Sequence, residues 1–484
     1  MSRRPSNGPH EGGVALDAGV IDTHAPTFGE PEVRRWSTVS LFAALAILTL
    51  LLRLAGMTGL IGSDDLNYVK FADAVVEGRY SEMVGGERER HQGLRYAVIL
   101  PQAAIQRTLG VSEWTTILLP LVTSTLSVLL LAEIGRLLFG LRIGLIAGLL
   151  YATFPIHILL GTILVPEPVL GFYSLAGVLC YLHAGRRGGI LWFVAGMLMG
   201  AAYLAKEPAV FVGGAFLLHA LWERRWRGAA LFAAGMIIVP VLEHAYYYFV
   251  LGDLMFRPNS TRVFSLDEPQ NIANLHRNLT YRLFIKYPSM MLVPNAMFAL
   301  HSLVCVALAA TAVIFTRRRG FLMLTLWAIV PWLYLNFGSW TIEHYAPMPT
   351  DPRYLELVYP PLMLLAAVAV MRALDMGGAR ARLTACSLIV VLVVGSVMGI
   401  RLKGTVGRAE QMAMLREISH VVRATPAERV YTDDVRWRRA LWIYDASVLA
   451  GSPADATLIV SKDPVGLPAL QRVEPAAGGD GGSR

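Results

Sequence analysis

Apolar runs of about 20 residues recur along this chain, most of them long enough to cross a lipid bilayer as a helix. They lie near 37–60, 112–138, 141–160, 162–183, 189–205, 208–222, 228–251, 289–315, 320–340, 354–371 and 383–400. Backbone N–H and C=O groups find no partner in lipid, so a crossing segment must pair them within itself, as a helix does. A transmembrane β-barrel calls instead for short segments of alternating polarity, a pattern this sequence does not show. The runs predict an all-α polytopic membrane protein of about 11 transmembrane helices, within a range of about 11–13.

Charge orients the spans. Only 16% of the residues are charged, and the formal net charge is +8. The arginines gather in short connections: Arg34 and Arg35; Arg136 and Arg142; Arg186 and Arg187; Arg224, Arg225 and Arg227; Arg317 to Arg319; and Arg372, Arg380 and Arg382. With the N-terminus cytoplasmic and segment 94–109 lying in the interface, every cluster falls inside, as the positive-inside rule requires. If 94–109 crossed, every later cluster would flip outside. The basic balance thus serves orientation and implies no nucleic-acid partner. Cys180, Cys305 and Cys386 all sit within apolar runs and read as small buried residues, with no disulfide or metal framework.

This topology divides the chain. Residues 1–35, rich in Gly, Pro, His and charge, read as a disordered cytoplasmic tail. A transmembrane domain follows over 36–400, with its first outer loop at 61–111. Within that loop, Asn67, Lys70, Asp73 and Glu77 mark one helical face, and Tyr68, Phe71, Ala72, Val75 and Val76 fill the other. That pattern predicts an interfacial helix on the outer surface. Residues 401–470 read as a small C-terminal α/β extracytoplasmic domain, with a strand followed by a turn at 429–434, a second strand at 456–461, and helices at 406–423 and 435–445. Residues 471–484 read as a disordered tail.

Ionisable residues collect at the outer face. Asp64 and Asp65 open the first-loop helix. Ser63 before them makes ordinary helix-start chemistry, since acids in a first turn favour the macrodipole. Glu167 stands between two prolines at the outer end of a run, and Lys206 and Glu207 form another outer turn. Glu343, His344, Arg353 and Tyr354 lie on the same side. Taken singly, each has a plain structural role: a helix start, a snorkelling lysine, a headgroup contact, an aromatic-belt tyrosine. Gathered at one face, such costly groups point to a shared functional cavity. Glu243 and His244, further along a span, face the same cavity or their own helix neighbours. Glu133 and Arg136, three apart, read as a local pair.

The order of these features resembles the GT-C superfamily of polytopic membrane glycosyltransferases. The nearest branch is the one related to the aminoarabinose transferase of lipid A and the protein O-mannosyltransferases. The resemblance covers about residues 37–400. It rests on the Asp64–Asp65 pair, then "HQGLRYAVILPQAAIQRTLGVSEW" (91–114), "GRLLFGLRIGLIAGLLYATFP" (135–155), Glu167, "YLAKEPA" and "DPRYLELVYPPL". It implies transfer of a hexosyl or pentosyl group, with inversion, from a polyprenyl-phosphate sugar to a hydroxyl on a lipid, glycan or protein. The chemistry would take place on the extracytoplasmic face of a bacterial plasma membrane. Asp64 would match the loop acid that serves as catalytic base, with Asp65 competing for the role. Glu167 would be the second acid. Lys206 and Arg353, with Tyr354, would suit the donor phosphate, and His91, Glu207, Glu343 and His344 would line the cavity. No cofactor is required; two acids beside a phosphate can share a divalent metal, although neither histidine is spaced as a ligand set. The rival readings are a transporter or flippase for a lipid-linked saccharide, and a non-catalytic membrane scaffold. A transporter would call for repeats and ionisable groups near mid-membrane; here the candidates lie toward one face.

Overall fold

The computed structural model describes residues 35–57, 59–60, 64–86, 90–267, 281–286, 288–289, 299–315, 320–339, 345 and 351–375, and pieces of 378–472. Its helices are α1 (Arg35–Ala55), α2 (Asp64–Val76), α3 (Tyr80–Gly86), α4 (Arg90–Gly93), α5 (Tyr96–Leu109), α6 (Glu113–Phe139), α7 (Leu141–Ala152), α8 (Pro155–Leu160), α9 (Pro166–Arg187), α10 (Leu191–Ala205), α11 (Ala209–Trp222), α12 (Trp226–Leu251), α13 (Phe256–Asp267), α14 (Ala299–Phe315), α15 (Gly320–Phe337) and α16 (Tyr359–Asp375). A 3₁₀ turn, Pro352–Leu357, leads into α16. Each apolar run from 37–60 to 354–371 carries a helix. Among the described residues, four helices are long and apolar enough to cross a membrane: Ser37–Ala55, Glu113–Phe139, Pro166–Arg187 and Trp226–Leu251. Five shorter apolar helices accompany them.

Local chemistry sets where the helices stop. Pro155 disfavours helical backbone at Phe154, which takes an extended conformation and separates α7 from α8. Lys206 is extended likewise and ends α10. Pro166 opens α9, where its missing N–H is one the first turn leaves unpaired anyway. Helices α10 and α12 cross with their backbones in contact: a Cβ on Gly196 would lie 2.0 Å from the Phe232 carbonyl oxygen, and one on Gly235 would lie 2.1 Å from that of Phe193. Small residues at such a crossing let the two backbones approach closely and gain dispersion contact there.

The first-loop helices pack differently from a free surface helix. Helix α2 buries Asp65 and Asn67 as well as Leu66, Tyr68, Val69, Phe71, Ala72 and Ala74. Asn67 therefore leaves the polar face expected of it, because its amide donates to Gln92 Oε1 at 2.5 Å. Helix α5 has 14 residues, about 21 Å of helix, short of the roughly 30 Å hydrocarbon layer. Its polar residues bond within the protein: Gln102 donates to the Thr115 carbonyl at 3.3 Å and Gln106 to that of Val69 at 3.4 Å.

Among the described residues of the C-terminal part, β1 (Val430–Tyr431) pairs in parallel with β2 (Leu458–Lys462), and β2 pairs antiparallel with β3 (Pro468–Arg472). The two expected strands are present. β3 runs through Arg472, into the stretch read from sequence as a disordered end. Arg416 also reaches the membrane part, its guanidinium donating to Glu113 at the start of α6.

Candidate active site

Four helix ends bring the site together. Asp64 opens α2, Glu167 lies in the first turn of α9, Lys206 follows α10, and Arg353 sits in the 3₁₀ turn before α16. Asp351 caps that turn, accepting from the Arg353 N–H at 2.9 Å and from its Nε at 3.0 Å. The same guanidinium donates to Asp64 Oδ2 at 3.2 Å and lies 3.9 Å from Glu167 Oε1. Lys206 donates its ammonium hydrogen to Glu167 Oε1 and sits 3.8 Å from the centre of the Tyr354 ring. Asp64, Glu167, Lys206, Arg353 and Tyr354, singled out from sequence, thus form one connected cluster.

The cluster is graded in exposure. Glu167 and Lys206 are buried, while the side chains of Asp64 and Arg353 are each 30% exposed. The two adjacent acids part ways here. Asp64 faces the cations and accepts from Gln92 Nε2 at 2.8 Å; Asp65 is fully buried in the packing of α2. Gln92 bridges Asn67 and Asp64 and so fixes the carboxylate on α2.

Burial disfavours the charge on Lys206 more than Glu167 restores it, and its pKa falls to about 8. Burial opposes the charge on Arg353 too, but Glu167, Asp351 and Asp64 outweigh it and hold the guanidinium charged. Burial, then Arg95, pulls His91 down to about 3. His91 therefore sits beside Arg95, Asp64, Glu207 and Lys206 as a neutral imidazole.

Glu207 belongs to an adjoining cluster. It accepts from Arg257, which also donates to Glu243 Oε1 and Oε2 through Nε at 2.9 and 3.1 Å. Arg257 further donates to the Leu94 carbonyl. Arg95 lies 4.0 Å from Glu207 and donates to the Ala205 carbonyl at 3.0 Å, which fixes the end of α10 next to Lys206. Burial works against ionisation of Glu207; Arg95 and Arg257 overcome it and keep the pKa below the usual carboxylate range. Glu243 turns to Arg257 and Tyr247, whereas His244 contacts the Pro240 carbonyl on its own helix. Glu133 and Arg136 form the local pair read from sequence. Glu343 and His344 lie outside the described residues.

Gln92, Arg95, Arg257 and Asp351 escaped sequence reading. Arg257 carried the signal that marked Lys206 and Arg353, a cation in an outer segment. Gln92, next to His91, carried no such signal. Among the described residues no three His, Cys, Asp or Glu side chains are grouped to hold a metal ion. The acids at the site are turned instead onto the chain's own cations.

Known proteins show the same arrangement of helices. Residues 100–247 match the family described as dolichyl-phosphate-mannose-protein mannosyltransferase. Among solved structures, ArnT from Cupriavidus metallidurans bound to undecaprenyl phosphate is similar with a TM-score of 0.54 and 17% identity, over 89% of this chain and 94% of that one. The Archaeoglobus fulgidus oligosaccharyltransferase in the apo form is similar with a TM-score of 0.52 and 14% identity, over 88% of this chain and 65% of that one. The same archaeal enzyme in complex with Zn and sulfate gives a TM-score of 0.52 at 13% identity, over 87% and 68%. No curated protein sequence matches the chain. At these identities the structural likeness speaks to the fold. It agrees with the family match, which covers residues 100–247.

Proposed function

We propose that this protein transfers a sugar from a polyprenyl-phosphate donor to a hydroxyl acceptor on the extracytoplasmic face of a bacterial plasma membrane, with Asp64 as general base. The observation that carries the reading is the contact of Arg353 with both Asp64 and Glu167, beside Lys206. One proton acceptor and two cations suited to a phosphate stand together where helices end, on a fold shared with ArnT.

The chemistry follows from charge. A donor phosphate is drawn to Arg353, whose planar fork can bind it with two hydrogen bonds, and to Lys206, which acts as a point charge. The phosphate takes the place of Asp64 at the guanidinium. The freed carboxylate, still held by Gln92, accepts the proton of the acceptor hydroxyl. The hydroxyl oxygen then attacks the anomeric carbon, the C1–O bond to phosphate breaks, and the polyprenyl phosphate leaves with the electron pair. One in-line displacement inverts the anomeric configuration. Arg353 and Lys206 hold the charge that develops on the leaving group. Glu167 keeps Lys206 in place, and the lipid tail lies along the apolar helices. No step runs through a metal.

Lipid and glycan profiling of a strain lacking the protein tests the reading. A polyprenyl-phosphate sugar should accumulate while one sugar modification of the envelope disappears. An unchanged profile of both would overturn it.

A further inference from the structure

The 3₁₀ turn that presents Arg353 carries a second charged residue that the chemistry above does not use. The Glu356 side chain is 2% exposed, buried within the protein. Its Oε1 accepts from the Tyr151 hydroxyl at the end of α7. The same oxygen lies 3.2 Å from His157 Nδ1 on α8. The Tyr151 and His157 rings stack with centroids 3.9 Å apart at 18°, so the two donors reach the carboxylate as a unit.

The carboxylate also packs on α9. A Cβ on Gly171 would lie 3.4 Å from both Glu356 Oε1 and the Tyr151 oxygen. Gly171 stands four residues, about one helical turn, after Glu167. The turn therefore meets α9 at two points: Arg353 against Glu167 and Glu356 against the next turn. Arg53, fully buried and held by Ser124 at 2.7 Å, has Tyr151 and Glu356 as its electrostatic neighbours and balances the buried charge.

A buried carboxylate is a costly way to hold a turn, and the second oxygen of Glu356 is buried with no hydrogen-bond partner among the described residues. Apolar packing would hold the chain at lower cost. Local rules are broken in this way where geometry matters more than stability.

We propose that Glu356 is a positioning residue: bound by Tyr151 and His157 and seated on α9 at Gly171, it sets the register in which Arg353 faces Asp64, Glu167 and the donor phosphate. This rests on the reading of Arg353 as a phosphate-binding group.

A double-mutant cycle on the full-length protein in detergent tests it, with undecaprenyl phosphate as the probe. Tyr151→Phe should weaken binding about tenfold when Arg353 is present and less than about twofold in an Arg353→Ala background. Glu356→Gln, which keeps an acceptor for Tyr151, should bind within about threefold of the native protein, and Glu356→Ala should not. Equal losses from Tyr151→Phe in both backgrounds, or no loss in either, overturn the positioning role while leaving Arg353 as a phosphate group. Native binding by Arg353→Ala overturns the reading of the site, and the positioning role with it. Should Tyr151→Phe not fold, His157→Gln takes its place in the cycle.

Discussion

The guanidinium of Arg353 lies 3.2 Å from the carboxylate of Asp64, although 289 positions of sequence separate them. A cation suited to phosphate and an acid suited to take a proton hold each other in this structure. Asp64→Asn keeps the shape and the bond from Gln92 but cannot accept a proton. It should cut transfer by about 10²–10⁴-fold while polyprenyl phosphate still binds. Transfer measured in membrane vesicles checks this, and a fully active variant removes Asp64 from the base role. Asp65→Asn should lower the yield of folded protein yet leave the turnover of each folded molecule largely intact.

Lys206 gives the site a pH dependence. Its pKa of about 8 lies below the ordinary lysine value because burial disfavours the ammonium form. The lysine is cationic below that pH and neutral above it. Affinity for the anionic donor should therefore fall as pH rises through about 8, and kcat/KM should fall with it, since that ratio reports groups of the free enzyme. Lys206→Met should be weak throughout and show no inflection there. An unchanged alkaline limb in Lys206→Met would show that another group titrates.

Arg257 neutralises two acids on different elements, Glu207 and Glu243. Removing it leaves a carboxylate buried and uncompensated, a loss of about 3–5 kcal/mol by the usual cost of breaking a buried pair. Arg257→Met should lower the thermal midpoint of the purified protein, and adding Glu243→Gln should restore part of it. Independent, additive losses would mean the pair is not coupled.

Chelation should leave transfer intact. Asp64 and Glu167 at the site face Arg353 and Lys206. Activity assayed with and without a chelator decides the matter, and loss that only a divalent ion restores would overturn it.

Gly196→Val places a side chain where the Phe232 carbonyl oxygen stands. Helices α10 and α12 should separate, and folded protein should fail to accumulate in membranes. Gly214→Ala, where a Cβ meets nothing within 4 Å, serves as the silent control.

Much of this was legible in the sequence because lipid is a demanding solvent. Apolar length fixed the helices, and arginine placement picked one face for the ionisable groups. That reasoning found Asp64, Glu167, Lys206, Arg353 and Tyr354, which the fold brings into one cluster. It left Asp64 and Asp65 undecided, since helix rotation separates them and adjacent positions carry no record of which way they turn. Lys206 and Glu207 posed the same problem: they are neighbours in sequence, yet they bond to Glu167 and Arg257 in different clusters. Glu356 read as part of an apolar run. Its partners Tyr151 and His157 lie some 200 residues away, and long-range pairing of this kind leaves no local pattern.

Translation reaches the two ends of the Asp64–Arg353 contact far apart in time. At about 5–20 residues per second, the gap lasts about 15–60 s. Through that interval the newborn helices hold an acid that still awaits its guanidinium. A ribosome that stalls before residue 353, or a protease that clips the chain there, leaves a bundle inserted in the bilayer yet without its anion grip. Unfinished copies should therefore bind no polyprenyl phosphate, whatever helices they have already inserted.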